Sequence, residues 1–239
     1  LCFDNIMSHE NPITREAFSR MSKDAGISRI TDAPYWKTLQ HHEKGHMLAC
    51  KLLARQILDD YNVTKGNCID VGSGIGWLGL ELAVLTDMTV HLVDVIPERL
   101  RRASENATEM KIKARVHIER ADAERMPFQD NCADLIVCRG SVFFWKKPAE
   151  GFKEVYRILK PGRVAFMGGA IGRYMPKRER EDLIASIKEE VRKLGPERER
   201  EWWAKRSPQW FKKWLIAAGI KQFKLIPDPP GMWVEIIKA

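Results

Sequence analysis

No stretch of this chain stays apolar for the ~20 residues a membrane helix needs. The opening LCFDNIMSHE lacks the basic start and apolar run of a secretory signal. Met7-Ser8 reads as a natural start, and residues 1–6 are left out of the fold reading. Among the five cysteines, Cys2, Cys50, Cys68, Cys132 and Cys138, there is no CxxC pair. An odd number of scattered cysteines, mostly inside apolar runs, suits reduced thiols in a cytoplasmic protein.

Charge of both signs is plentiful, but a marked excess of one sign occurs in one place. The net charge is +8 over 239 residues, and residues 173–224 hold 15 Lys/Arg against 8 Asp/Glu. The basic excess thus belongs to one late segment. The length suits one sizeable domain, or a domain with a small appendage, able to bury a substantial core.

The most informative stretch is NCIDVGSGIGWLGLELAVL, residues 67–85. A short apolar run enters Gly72, Gly74 and Gly76, and a helical pattern begins at Trp77. That reads as strand, tight turn and helix. Glycine leaves no Cβ between backbone and ligand, so such a turn can present N–H groups to a polar ligand at the helix N-terminus. Two cofactor readings compete. Gly74 to Gly79 fits GxGxxG, with Asp94 twenty residues on, the dinucleotide pattern. The acid Asp70, two residues before Gly72, points instead to a different nucleotide cofactor.

Strand and helix patterns then alternate. Strands are expected at 88–94, 115–118, 134–138 and 163–167, with helices from Pro97 to about Met110 and from Gly151 to Leu159. Before them, 14–25 has moderate helical character, Thr31 and Asp32 are candidate caps, and Tyr35 to Tyr61 has helical spacing with a weak point at Gly45. The alternation predicts an α/β, Rossmann-like doubly wound sheet of parallel strands. Asp70 and the glycines, Asp94, Asp122 and Arg139 all fall at or just past strand C-termini. Ligands bind on that edge of such sheets.

At this point a resemblance can be stated. Residues 67–168 resemble the class I S-adenosylmethionine (SAM) methyltransferases, in the ubiquinone/menaquinone-biosynthesis branch. It is carried by DVGSGIG, by the acid in HLVDVIPE, by ADAERMPFQDNCADLIVC and by GFKEVYRILKPGRVAFMGG. The resemblance implies a seven-stranded sheet with the last strand antiparallel. It implies that the backbone at Gly72, Ser73 and Gly74 approaches the methionyl part of SAM, with Asp70 supporting its amino group and Gly76 also among the cofactor-binding residues. Asp94 would hold the ribose, Val95 or Ile96 would pack on adenine, and Asp122 and Ala123 would bond its edge. Arg139 would border the departing methyl group, and S-adenosylhomocysteine (SAH) would be the product. Arg139, where a shorter polar residue is common, and Arg163, where a second glycine is usual after KPG, depart from the pattern.

Methyl transfer needs alignment more than a fixed triad, and none is evident. Base candidates are His41, His42, His46 and the Tyr174 hydroxyl. His42-Glu43-Lys44-Gly45-His46 spells HExxH, but no third ligand follows and Gly45 suits a helix poorly, so no metal is expected. Ser141, Phe144, Trp145 and Tyr174 are candidate acceptor contacts.

Later, 176–194 reads as a charged helix, 195–208 as a polar, turn-rich link, and 209–218 as a helix opened by Ser207-Pro208. Lys221 to Ile226 and Trp233 to Ile237 read as the last strands. The resulting division is an N-terminal helical cover (1–60), a SAM-binding core (61–170), a helical lid (171–220) and terminal strands (221–239). The basic lid suits a small, acidic acceptor. Trp202, Trp203, Trp210 and Trp214 among cations keep an RNA acceptor open as the second reading. A SAM-binding regulator without turnover is the third.

Overall fold

A computed structural model of the chain describes residues 41–239, with side chains from residue 44 onward. The expected helix at 14–25, the Thr31/Asp32 caps and the start of the next helix lie outside the described residues. Helix α1 (His41–Tyr61) runs unbroken through Gly45. A Cβ at Gly45 would sit 3.2 Å from Leu183 Cδ1, so the glycine is where a later helix crosses closely.

The core then alternates: β1 (Asn67–Val71), α2 (Trp77–Leu85), β2 (Thr89–Asp94), α3 (Pro97–Glu109), β3 (Val116–Arg120), β4 (Ala133–Arg139), α4 (Pro148–Ile158) and β5 (Leu159–Gly168). Three further helices follow, α5 (Lys177–Arg192), α6 (Pro196–Ala204) and α7 (Pro208–Ala217), and then β6 (Lys224–Asp228) and β7 (Gly231–Ile237). The seven strands lie in the order β3-β2-β1-β4-β5-β7-β6. The first five are mutually parallel, and β7 runs antiparallel to both β5 and β6.

Strand alternation sorts the core into two layers. Cys68, Val90, Leu92, Leu135, Val137 and Phe166 face α1, α2 and α3. Ile69, Val71, Val93, Ile136, Cys138 and Met167 face α4 and α7. Both faces are covered, which is why these strands read as continuous apolar runs.

Two expectations change here. Residues 196–204 are a helix, not a turn-rich link. Pro196 sits at the first helical turn and Glu197 and Glu199 oppose the positive end of the helix dipole, which favours a helix despite the polarity. Within residues 171–220 the helices also pack on different layers. Phe211 and Leu215 of α7 are buried against the α4 layer, leaving α5 and α6 as the part over the sheet edge. Ser207 does cap α7, accepting from the Trp210 N–H at 3.3 Å, with Pro208 next.

Candidate active site

At the C-terminal edge of β1, β2 and β4 lies a cavity of about 960 Å³. Its floor begins at the turn after β1. Gly72, Gly74 and Gly76 all have positive φ, from 59° to 90°, conformations open to glycine at little cost. Their roles differ. A Cβ on Gly72 would overlap the Ser141 side chain, whereas one on Gly74 would meet nothing within 4 Å. Gly74 borders open space in the cavity.

Two acids brace this turn. Asp94, buried at the end of β2, accepts from Gly74 N–H and Ile96 N–H, both at 2.9 Å. Ser73 N–H donates to the Val93 carbonyl at 2.8 Å, pinning turn to strand. Asp70 is buried and accepts from Gly79 N–H at 2.9 Å. Burial pushes its carboxyl up to about 7; the Gly79 bond opposes that, and nearby Asp94 adds to it. Asp122 Oδ1 accepts from Glu124 N–H at 2.9 Å.

The chemistry of this end suits an adenosyl cofactor with a cationic amino-acid tail. Asp70, Asp94 and Asp122 line it, and the Ser73 hydroxyl is buried without a partner among the described residues. Val95 is 51% exposed and Ile96 38% exposed beside the cavity, an apolar surface where a flat ring could lie. Ala123 lines the same end.

The other end is built from the segment after β4, from 169–171 after β5, and from α5 and α6. Ser141 donates to the Val71 carbonyl at 2.7 Å and lies 3.0 Å from Cys138 Sγ. With the serine proton committed, the thiol is the donor, and it ties the β4 exit to the glycine turn. Arg139 Nη2 lies 3.2 Å from His46 Nδ1. A guanidinium has no acceptor, so Nδ1 is the acceptor and the His46 proton sits on Nε2. Phe144 (71% exposed), Trp145, Ile187, Trp202 and Arg206 complete this end.

Asp70, Gly72, Ser73, Gly74, Asp94, Val95, Ile96, Asp122, Ala123, Arg139, Ser141, Phe144, Trp145 and His46 therefore share one cavity. Gly76 does not line it. It caps α2, and a Cβ there would press on Leu92 and Leu80, so its glycine serves packing. Tyr174 also lies elsewhere. Its hydroxyl donates to Asp59 at 2.9 Å and its ring carries the Arg173 guanidinium, so it staples the start of the late segment to α1. The side chains of His41 and His42 lie outside the described residues. His46 meets a guanidinium, an unfit neighbour for a dication, and no group of three His, Cys, Asp or Glu that could hold a metal occurs among the described residues. Arg206 was not anticipated. Its signal was available in Trp202 and Arg206 at i, i+4 just before the Ser207-Pro208 start.

Residues 69–167 match the family model described as a methyltransferase domain. The fold matches a structure from Methanococcus maripaludis, assigned as an S-adenosyl-L-methionine-dependent methyltransferase, with 30% identity and a TM-score of 0.71. That match covers 91% of this chain and 93% of the other. The chain belongs to the SAM-dependent methyltransferases. The cofactor of this family is SAM, which displaces the dinucleotide reading of GxGxxG; Gly79 packs closely against Leu92 and Asp70, as the third glycine of either kind of turn would.

Among curated relatives, 2-methyl-6-phytyl-1,4-hydroquinone methyltransferase 2, chloroplastic, of Oryza sativa subsp. japonica is 38% identical over 108 residues, 45% of this chain and 30% of that protein. The ubiquinone/menaquinone biosynthesis C-methyltransferase UbiE of Geotalea daltonii is 29% identical over 100 residues, 41% of this chain and 43% of that protein. The chain thus aligns with less than half the length of these relatives. No described helix is long and apolar enough to cross a membrane.

Proposed function

We propose that this protein transfers the methyl group of SAM to a small-molecule acceptor held under α5 and α6. The observation that carries the proposal is one continuous cavity with two unlike ends. An acidic end, at Asp70, Asp94 and Asp122, opens onto an aromatic and basic end, at Arg139, Phe144, Trp145, Trp202 and Arg206. Small-molecule acceptors in the names of the relatives support the same class.

The cofactor supplies an activated methyl group on a sulfonium. The chain's own residues have the task of alignment, which is where most of the rate enhancement of such a displacement arises. Asp94 orients the turn through Gly74 and Ile96, and its remaining lone pairs suit ribose hydroxyls. Asp70 presents a carboxyl to the amino-acid tail. Gly74 leaves room for close backbone approach. Phe144 and Trp145 wall the route to the acceptor and exclude water. His46, with its proton on Nε2 and Nδ1 engaged by Arg139, is set to orient that arginine rather than to take a proton.

The tryptophans favour a small molecule over RNA. Trp210 and Trp214 pack on the α4 layer, and Trp202 is stacked by Arg206 at 3.6 Å, so these rings are engaged inside the protein. Cys50, Cys68, Cys132 and Cys138 are free, which fits a reducing compartment, and we assign the cytoplasm.

Calorimetry with SAM, SAH and NAD tests the cofactor side. We expect SAM and SAH to bind, NAD not to bind, and Asp94→Ala to weaken SAH by roughly 10–100-fold through loss of charge-assisted bonds. Absence of SAM and SAH binding would overturn the reading. Labelled SAM with a panel of small ring acceptors tests transfer itself.

A further inference from the structure

Among the described residues, the acceptor end holds two buried donors without acceptors and one cation without a carboxylate. Arg206, just past α6, has its guanidinium carbon 3.6 Å from the Trp202 ring centroid and 4.0 Å from that of Phe143. The group is thereby held between two rings. Among the described residues its only hydrogen bond runs from Nη1 to the Trp202 carbonyl at 2.9 Å. No carboxylate lies within 4 Å of it among the described residues, although the adjacent Lys205 is paired with Glu201. Among the described residues the buried Trp202 indole N–H has no partner, and neither does the Arg139 Nε–H on the floor. All three residues line the cavity. The lining carboxylates Asp70, Asp94, Asp122 and Glu124 belong to the other end.

Buried donors without acceptors are costly, and native proteins leave few of them. The part-buried Arg206 guanidinium keeps N–H groups free to form charge-assisted bonds with an anion that enters the cavity. Burial pushes Arg206 down to about 10, so it remains a cation at neutral pH, met among the described residues by two ring faces and one carbonyl but by no carboxylate. Its stacking fixes the plane of the fork, which presents parallel N–H groups suited to a carboxylate or phosphate. The surrounding rings, Phe144, Trp145 and Trp202, suit an apolar or aromatic body attached to that anion.

We infer that the methyl acceptor is an anionic small molecule with an apolar body, and that Arg206, clamped between Phe143 and Trp202, is the residue that receives its carboxylate or phosphate group. This rests on the proposed acceptor site and adds the class of molecule that fills it and the residue that selects it.

The test uses the SAH-loaded full chain and four probes: 4-hydroxybenzoate and phenyl phosphate as the acids, and 4-hydroxybenzamide and phenol as their neutral counterparts. Binding is followed by calorimetry for the wild type, Arg206→Gln and Arg206→Lys. SAH affinity is measured first in each. If SAH fails to bind the wild type, the cofactor reading has failed rather than this one. With SAH bound, at least one acid is expected to bind about tenfold more tightly than its neutral counterpart. Arg206→Gln should abolish that preference, and Arg206→Lys should restore part of it, with SAH affinity unchanged in both. A preference for the carboxylate or for the phosphate identifies which anion the fork accepts. Equal binding of acid and neutral probes, no binding of either acid, or a preference that survives in Arg206→Gln would each overturn the assignment. Should Arg206→Gln lose SAH binding or fold, the wild-type acid-to-neutral ratio and the lysine variant decide.

Discussion

At the residue scale, the glycines of one motif do different work, and substitution separates them. Gly74 has φ +59° and empty space where a Cβ would point. Gly74→Ala should cost only about 1 kcal/mol of stability from the left-handed backbone. Its methyl group would project into the cofactor end, so SAH affinity should fall steeply. Gly79 lies inside α2, where a Cβ would overlap Leu92 and crowd Asp70. Gly79→Ala should therefore lower the unfolding temperature more than Gly74→Ala does, by disturbing the strand–helix contact and the Asp70 bond. Thermal melts and SAH titrations of both variants check this. If Gly74→Ala binds SAH as the wild type does, the close backbone approach is wrong.

At the element scale, the parts over the cavity are held by few ties. Asp228, at the end of β6, accepts from Gly172 N–H at 2.7 Å, Ile171 N–H at 3.2 Å, Trp233 Nε1–H at 2.8 Å and Arg180 Nη1–H at 2.7 Å. One carboxylate thus joins the terminal hairpin, the loop after β5 and the first turns of α5. Arg180→Ala should remove a part-buried, charge-assisted bond worth about 2 kcal/mol. We expect faster amide exchange in α5 and the 169–172 loop, with weaker acceptor binding and unchanged SAH affinity. Exchange that stays slow in α5 would show that the Ala49–Leu52–Leu183 seam alone holds it.

Elements differ in how far the sequence discloses them. The strands of the core announce themselves because both sheet faces are covered, so runs such as Asp134-Leu135-Ile136-Val137-Cys138 have few polar breaks. The turn that lines the acidic end of the cavity is equally legible as a local structure, since Asp70 and Asp94 lie in the last residues of β1 and β2 and Gly72, Ser73 and Gly74 come just past β1. The lid is less so. Residues 196–204 are mostly charged, and their helix rests on end effects and on packing against α5 that no periodicity discloses. Tyr174 looks like a cavity residue by its place after β5, yet its direction is decided by Asp59, far away in the chain. Arg206 depends on Phe143 and Trp202 arriving from two elements, a meeting that only the fold provides.

At the scale of the whole molecule, pH should move stability and cofactor affinity in opposite directions. Burial raises Asp70 and Glu81 each to about 7, opposed by Gly79 N–H and Lys51 respectively. Both sit above their unfolded values of 3.8 and 4.5. The stability they contribute is therefore complete below the unfolded values and is lost as pH rises through about 7. His91, pushed down mainly by burial, works the other way, but below 6.5. Between about pH 4.5 and 7 these two carboxyls should thus make the apo protein lose stability as pH rises, the slope fading above about 7 where both states are ionised, and Glu81→Gln should flatten that slope. The cofactor reverses the sign for Asp70, because an ammonium in the cavity favours the ionised carboxylate. SAH affinity should rise with pH through about 7 and then level off. In thermal melts, the shift produced by SAH should be larger at pH 8 than at pH 6. Asp70→Asn should make that shift equal at the two pH values, while Glu81→Gln should leave the difference intact. An SAH shift that is the same at both pH values in the wild type would mean that Asp70 does not meet the amino-acid tail, and that its burial serves the Gly79 bond alone.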